Sequence, residues 1–247
     1  MSSIRNTWSI AKRELGSYFA SPVAYVFIII FLVLTGFFTF MVSDFFVRGE
    51  ADLRPFFLWH PWLYLFLVPA VGMRLWAEER RSGTLELLLT LPITPWQAIC
   101  GKFVAAWLFL GLALALTFPI ILTVAWLGDP DGGMIFTGYL GSFLVAGVYL
   151  AIGNMTSAMT RSQVVSFILS VVLCLLLVLA GWGPVTNMFV KWAPARLVDA
   201  VAAVSIMPHY EGLQRGVIDS RDLIYYASVI AFALFCTTVI VRSRRAA

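Results

Sequence analysis

The sequence predicts an all-α membrane protein, and three observations carry that prediction. Hydrophobic residues are 61% of the 247-residue chain, too many to leave a polar shell around a soluble body of this size. Charged residues are 12%, about half the ordinary ~25%, and mean hydropathy is +0.90. Several apolar runs reach the ~20 residues with which a helix crosses ~30 Å of hydrocarbon. Disorder is excluded by the same composition, because unfolded chains are polar and highly charged. The length accommodates about six spans. No stretch is long and polar enough for a separate soluble domain, so residues 1–247 read as one transmembrane domain.

Residues 3–20 read as an amphipathic interfacial helix. Trp8, Ala11, Leu15, Tyr18 and Phe19 recur at helical spacing, while Arg5, Lys12 and Arg13 are polar. Ser21-Pro22 opens the first span, 23–42. That run exceeds the 7–15 residues of a secretory signal core and has no small-residue cleavage site after it, so it reads as an uncleaved span. A polar loop, 43–55, precedes the second span, 56–76, with His60-Pro61 near its outer end. The most polar stretch is 77–102, and within it Trp96 begins a third span reaching 127, with Pro119 as the expected kink. Gly128-Asp129-Pro130-Asp131-Gly132-Gly133 is a turn by composition. The fourth span is 134–157, the fifth 164–180 and the sixth 222–241, with a long loop at 181–221.

Orientation follows from Lys and Arg. Eleven basic residues lie on the side holding the N-terminus, 74–102, Arg161 and the C-terminus, and six lie on the other. The richer side is expected to be cytoplasmic, with both termini inside. The net charge of +4 and the pI near 9.1 reflect these membrane flanks and do not point to nucleic acid.

Chemistry is scarce. Cys100, Cys174 and Cys236 are far apart in apolar sequence, without a C-x-x-C, so neither a disulfide framework nor zinc is indicated. No H-E-x-x-H surrounds His60 or His209, and no G-x-S-x-G exists. Cys100-Gly101-Lys102-Phe103 looks like the end of a phosphate loop, but Trp96 replaces the first Gly and Phe103 the Ser or Thr. His209 and Glu211 in the outer loop make too small a set for a metal and read as ordinary polar groups. No catalytic, cofactor-binding or metal-binding residue is assigned. Ionisable residues are almost absent between span ends, which argues against an intramembrane enzyme or a proton-coupled carrier. The same sparseness favours an apolar or amphipathic cargo, without naming one.

The informative segment is 77–102. Glu78-Glu79-Arg80-Arg81 is a dense charge block directly below a span. Gly83 and Thr84 open Leu85-Glu86-Leu87-Leu88-Leu89, a short amphipathic run that Ser82 or Thr84 is placed to cap. Pro92 and Pro95 end it. Charges facing outward and leucines inward at the membrane surface suit docking of a protein partner, because mixed-sign charges set register and specificity. In the fourth span, Gly138, Ser142 and Ala146 are four apart, as are Gly147 and Ala151. Such small-residue rows let helices approach closely, either within the subunit or across a dimer interface. Asn154 is placed to hydrogen-bond across helices.

Glu-Glu-Arg-Arg-Ser-Gly-Thr-Leu-Glu-Leu-Leu-Leu, then Pro-Ile-Thr and the lysine of the next span, resembles the signature of type-2 ABC exporter permeases, the ABC-2 family. The opening Ala11-Lys12-Arg13-Glu14-Leu15 with Tyr18-Phe19-Ala20-Ser21-Pro22 is similar to the gliding-motility-associated and nitrous-oxide-reductase-maturation subgroup, as is the closing 215–226. The resemblance implies six spans, a cytoplasmic coupling helix at 77–95 and re-entrant helices in a periplasmic loop at 181–221. It further implies a bacterial inner-membrane permease that dimerises with itself or a related permease and couples export to ATP hydrolysis. The ATP and its Mg would be held by a separate cytosolic ATPase subunit, docked through Glu78, Glu79, Arg80, Arg81, Gly83, Thr84 and Glu86. Two other readings are weighed beside it: a membrane subunit that passes mechanical work to a periplasmic partner without moving cargo, and an intramembrane enzyme.

The charge count generates a topology prediction. Single cysteines placed at Lys191 and Arg245 should react with a membrane-impermeant thiol reagent from opposite sides, position 191 from outside. Labelling of position 245 from outside would reverse the assignment.

Overall fold

The computed structural model describes residues 2–49, 51–84, 94–190 and 194–243, and these contain helices and connecting turns with no strand. In chain order they are α1 (Ser2–Ala20), α2 (Pro22–Phe37, continued by a wider π-type turn, Phe38–Val42), α3 (Phe45–Arg48), α4 (Arg54–Leu58), α5 (His60–Gly72), α6 (Arg74–Ser82) and α7 (Pro95–Ala115). Then follow α8 (Pro119–Leu127), α9 (Gly132–Met159), α10 (Gln163–Leu179), α11 (Gly183–Val190), α12 (Ala195–Val204), α13 (Ile206–Gln214) and α14 (Ser220–Ser243).

The starts of the long helices are written locally. Ser21 Oγ accepts from the Val23 N–H with Pro22 in the first turn. Thr94 and Gln97 form a reciprocal capping box on α7. Asp131 accepts from the Gly133 and Met134 N–H groups, and Ser162 from Val165. Each supplies a partner to amides that a helix start leaves unpaired.

Four stretches are long and apolar enough to cross a membrane: Pro22–Val47, Pro95–Leu127, Gly132–Met159 and Ser220–Ser243. Pro119 opens α8 after a break at 116–118, where the expected kink lies. The expected fifth span is α10, an apolar helix of 17 residues. The expected second span is not one helix but α4, α5 and α6 in series, broken at Trp59 and Met73, both of which keep right-handed helical torsions. Proline explains the first interruption: Pro61 has no N–H to give the carbonyl four residues back, Phe57. Pro69 lies inside α5 without ending it, and the Met73 N–H bonds the Pro69 carbonyl.

α9 is the centre of the bundle. It is 67% buried over its apolar window, against 28–39% for the other three long stretches, and it touches α5, α6, α7, α10, α13 and α14. Close approach to α9 depends on residues without a Cβ. A Cβ at Gly138 would stand 2.4 Å from the Phe57 ring, and one at Gly147 2.9 Å from the Trp107 indole. Gly72 and Gly153 face each other so tightly that a Cβ on Gly72 would lie 3.0 Å from the Gly153 Cα. Gly138, Ser142, Ala146, Gly147 and Ala151 are all buried within this one chain.

α1 packs lengthwise on α7. Ile10 meets Gly101, Glu14 meets Lys102, and Tyr18 stacks on Phe109 with centroids 5.1 Å apart. The loop 181–221 contains α11, α12 and α13, and α13 is pinned to the bundle by Tyr210. The buried Tyr210 hydroxyl lies 2.9 Å from the carbonyl of Phe57 and 2.9 Å from Ser142 Oγ. It donates to the carbonyl that Pro61 cannot serve, which also accepts from the Trp59 N–H.

Tyr210→Phe therefore removes the buried hydroxyl's bonds to the Phe57 carbonyl and to Ser142 Oγ, a loss of about 0.5–1.5 kcal/mol while the Trp59 N–H still serves that carbonyl. Unfolding of the purified variant in detergent should show a lowered midpoint with helix content unchanged. A midpoint equal to wild type would mean that the Tyr210 hydroxyl adds nothing to stability.

Candidate coupling site

α6 carries the charge block, and its faces differ. Leu75, Trp76 and Ala77 are buried, while Glu78, Arg81, Gly83 and Thr84 are exposed. Gly83 ends the helix in the left-handed region (φ 74°), with its N–H donating to the Glu79 carbonyl. Ser82 Oγ donates to the Glu78 carbonyl at 2.9 Å, and Thr84 Oγ1 to that of Glu79 at 3.4 Å. Both hydroxyls thus close the C-terminal end of α6. Glu86 and the leucines of 85–89, which the sequence reading assigns to the amphipathic run, lie outside the described residues.

The buried face of α6 is bonded to the end of α9. Ser157 Oγ accepts from the N–H groups of Trp76 (3.0 Å) and Ala77 (2.9 Å) and donates to the Met73 carbonyl at 2.8 Å. One hydroxyl so serves the break between α5 and α6 in full, one donor and two acceptors. Trp76 Nε1 donates to Asn154 Oδ1 at 2.6 Å, which is the cross-helix bond expected of Asn154. Arg80 Nη1 donates to the Ala158 carbonyl at 2.7 Å, one of the carbonyls that the C-terminal end of α9 leaves unpaired and where a cation is favoured. Gln163 Nε2, at the start of α10, donates to Glu78 Oε2 at 3.2 Å.

A second anchor is a buried ion pair. The Lys102 side chain on α7 is 5% exposed, with Nζ 2.7 Å from Glu79 Oε1 and 3.4 Å from Glu14 Oε2. Nζ also lies 5.7 Å from the centre of the Trp76 ring, within cation–π range. Three helices, α1, α6 and α7, therefore meet on one ammonium. Nearby, burial raises the Tyr18 phenol above its ordinary value; the Glu14 carboxylate adds to this and the Arg74 guanidinium opposes it.

The structure corrects the picture of a block with its charges outward. Glu79 and Arg80 turn into the protein. The reason is helical period: Trp76, Glu79 and Arg80 stand at i, i+3 and i+4 and share the face that packs on α7 and α9. Glu78, Arg81, Gly83 and Thr84 remain on the outside. Sequence reasoning missed Lys102 and Ser157. The available signal for Lys102 was its place seven residues inside a capped helix, beyond Ile99 and Gly101. His209 and Glu211 separate: His209 Nδ1 lies 2.7 Å from Asp222, and Glu211 pairs with Arg215 at 3.4 Å. No group of three or more potential metal ligands occurs among the described residues.

Residues 63–241 match the profile of the ABC-2 family transporter protein, a stretch that holds α6, α7, α9 and α14. The chain belongs to the ABC-2 family. No curated protein matches it closely enough to add a relative. ABC-2 membership makes it a permease subunit of an ABC transporter, multi-pass in its membrane, of a kind that works with a partnering ATPase subunit and is not itself catalytic.

The Lys102 anchor is testable in the ABC-2 permease itself. Lys102→Ala leaves Glu79 and Glu14 without their cation in a buried setting, which typically costs about 3–5 kcal/mol. Lys102→Met combined with Glu79→Gln and Glu14→Gln removes all three charges and should recover most of that loss. Equal stability of the single and triple variants, read as unfolding midpoints in one detergent, would show that the charges are not coupled.

Proposed function

We propose that the exposed side of α6 and the segment after it form the coupling element on which the partner ATPase acts. The observation that carries this reading is the two-sidedness of α6: its inner face is bonded to α7 and α9, and through Lys102 linked to α1, and its outer face presents Glu78, Arg81, Gly83 and Thr84. Glu86 is assigned to the same surface by the family resemblance. A push on that surface is delivered to α9 through Ser157 and Asn154, and to α7 and α1 through Lys102. ATP with Mg binds in the ATPase, and its binding and hydrolysis shift the permease between inward-open and outward-open populations.

In this reading the chain exports its cargo across a bacterial inner membrane, with six spans, both termini cytoplasmic and α1 at the cytoplasmic interface. A second permease copy, identical or related, completes the pathway. The finer likeness to the gliding-motility and nitrous-oxide-reductase-maturation subgroup rests on 11–22 and 215–226, and with it the idea of a periplasmic partner at 181–221. Packing of the small-residue row on α9 supports an intrasubunit role for those residues, so the dimer contact is assigned to other helices.

The docking reading distinguishes outward from inward charges. Glu78→Lys with Arg81→Glu inverts the exposed pattern at constant net charge. Permease carrying both changes should fold and insert normally but lose co-purifying ATPase by about tenfold or more, as removal of interface charge pairs does. Wild-type co-purification and wild-type stimulation of ATP hydrolysis by that variant would place the docking surface elsewhere.

A further inference from the structure

A single residue, Ser205, joins α12 to α13. The joint itself is fixed: Ser205 Oγ accepts from the Met207 N–H at the start of α13 and donates to the Leu177 carbonyl of α10 at 2.6 Å. α12 extends from that joint with Val201 and Val204 more than half exposed, and it packs on α11. Two side chains from other elements reach its last carbonyls, which a helix end leaves without N–H partners. The Tyr225 hydroxyl of α14 donates to the Val204 carbonyl at 2.6 Å. His209 Nε2 of α13 lies 3.3 Å from the Ala203 carbonyl.

His209 is surrounded by groups that suit a cation. Its Nδ1 lies 2.7 Å from Asp222 Oδ1 on α14. Its ring stacks on that of Tyr225 with centroids 4.0 Å apart, and a cation over a tyrosine face is attracted. Its Nε2 meets the C-terminal end of α12, where the helix dipole is negative. The other ionic groups nearby are engaged elsewhere or exposed. Glu211 turns to Arg215 at 3.4 Å, and Arg54 of α4 to Asp52 at 3.5 Å. Asp219 accepts from the Arg221 N–H in the turn before α14, and the Tyr226 hydroxyl is buried. Arg196 of α12 is exposed. α9, α10 and α11 carry no charged residue.

Neutral imidazole cannot make both nitrogen contacts, because it carries one N–H and one lone pair. With the N–H on Nδ1, the Nε2 lone pair meets the lone pairs of the Ala203 oxygen. With the N–H on Nε2, the Nδ1 lone pair meets the carboxylate. Only the imidazolium donates to both acceptors. We propose that His209 is a proton-operated latch on the outer loop: its imidazolium ties the end of α12 to Asp222 on α14, and loss of the proton releases α12 to turn about Ser205. The side chain is 19% exposed, so the proton exchanges with water. Histidine ordinarily changes charge between about pH 5 and 8. A mildly acidic medium therefore closes the latch and a mildly alkaline one opens it, while the Tyr225 bond to Val204 persists in both.

The test uses the full-length permease in detergent, labelled with nitrogen-15 histidine. The chain has two histidines, His60 and His209, so loss of one signal set in His209→Phe assigns the other. His209 should show two N–H nitrogens at about pH 5.5 and one at about pH 8. Movement is read by hydrogen exchange over residues 198–206, with His209→Phe measured at each pH so that the intrinsic pH dependence of exchange cancels. Wild type should exchange about tenfold more slowly than the variant on the acid side, the effect of one charged hydrogen bond, and within about twofold of it on the alkaline side. Asp222→Asn keeps the ring and its stack but removes the counter-charge; it should weaken the acid-side protection severalfold, and it supplies the comparison where His209→Phe does not fold. A single N–H nitrogen on His209 at the acid pH overturns the proposal. So does a wild-type-to-variant ratio that is the same at both pH values, and so does undiminished protection in Asp222→Asn. None of these readouts involves the ATPase, so they stand apart from the coupling reading.

Discussion

A single ammonium, that of Lys102, organises the charged end of the bundle. A buried cation is tolerated only with compensating charge and hydrogen bonds. Here the compensation comes from two carboxylates on two other helices, Glu79 on α6 and Glu14 on α1. The requirement runs both ways, because each carboxylate is largely removed from water and has need of the lysine. The triad fixes α1 against α7 and fixes α6 at the mouth of the bundle. Trp76 closes it from the side, and its indole N–H carries the constraint on to α9 through Asn154.

The second constraint is the handling of broken backbone. A chain whose α4–α6 stretch is interrupted must find partners for groups that a continuous helix would satisfy internally. Side chains of distant segments supply them: Ser157 at the Met73 break, Tyr210 at Phe57, Tyr149 on the Pro61 carbonyl at 3.2 Å. α9 contributes Ser157 and Tyr149 itself, and through Ser142 it also meets Tyr210. The most buried helix is thus also the one that repairs its irregular neighbour, and the glycines along it keep that neighbour within hydrogen-bonding reach.

Much of this was legible in the sequence. The cap residues Ser21, Thr94, Asp131 and Ser162 mark helix starts, Pro119 marks a break, and the small residues of α9 mark close packing. These are local signals, decided within a few residues. The inward turn of Glu79 and Arg80 was not read, because a run of four charges looks like a solvated face until the neighbouring Trp76 is seen to share their side of the helix. Lys102 was read as a membrane flank for a similar reason: its partners are 23 and 88 positions away, and nothing in its own neighbourhood names them. Ser157 and Tyr210 are ordinary residue types whose roles depend wholly on what the fold brings near.

The bond from Tyr210 to Phe57 spans 153 positions of chain. This separation has a consequence for biosynthesis. When the segment around Pro61 leaves the ribosome, the residue that adds the second donor to the Phe57 carbonyl, beside the Trp59 N–H, has not been made. The amino-terminal half is therefore made without the hydroxyl that completes the hydrogen bonding of this carbonyl. It reaches its final form only when α13 arrives beside it. Completion of the α4–α6 region is in this sense a late event, set by the carboxy-terminal third of the chain, and a truncated product ending before α13 would lack the Tyr210 bonds that tie Phe57 and Ser142 together.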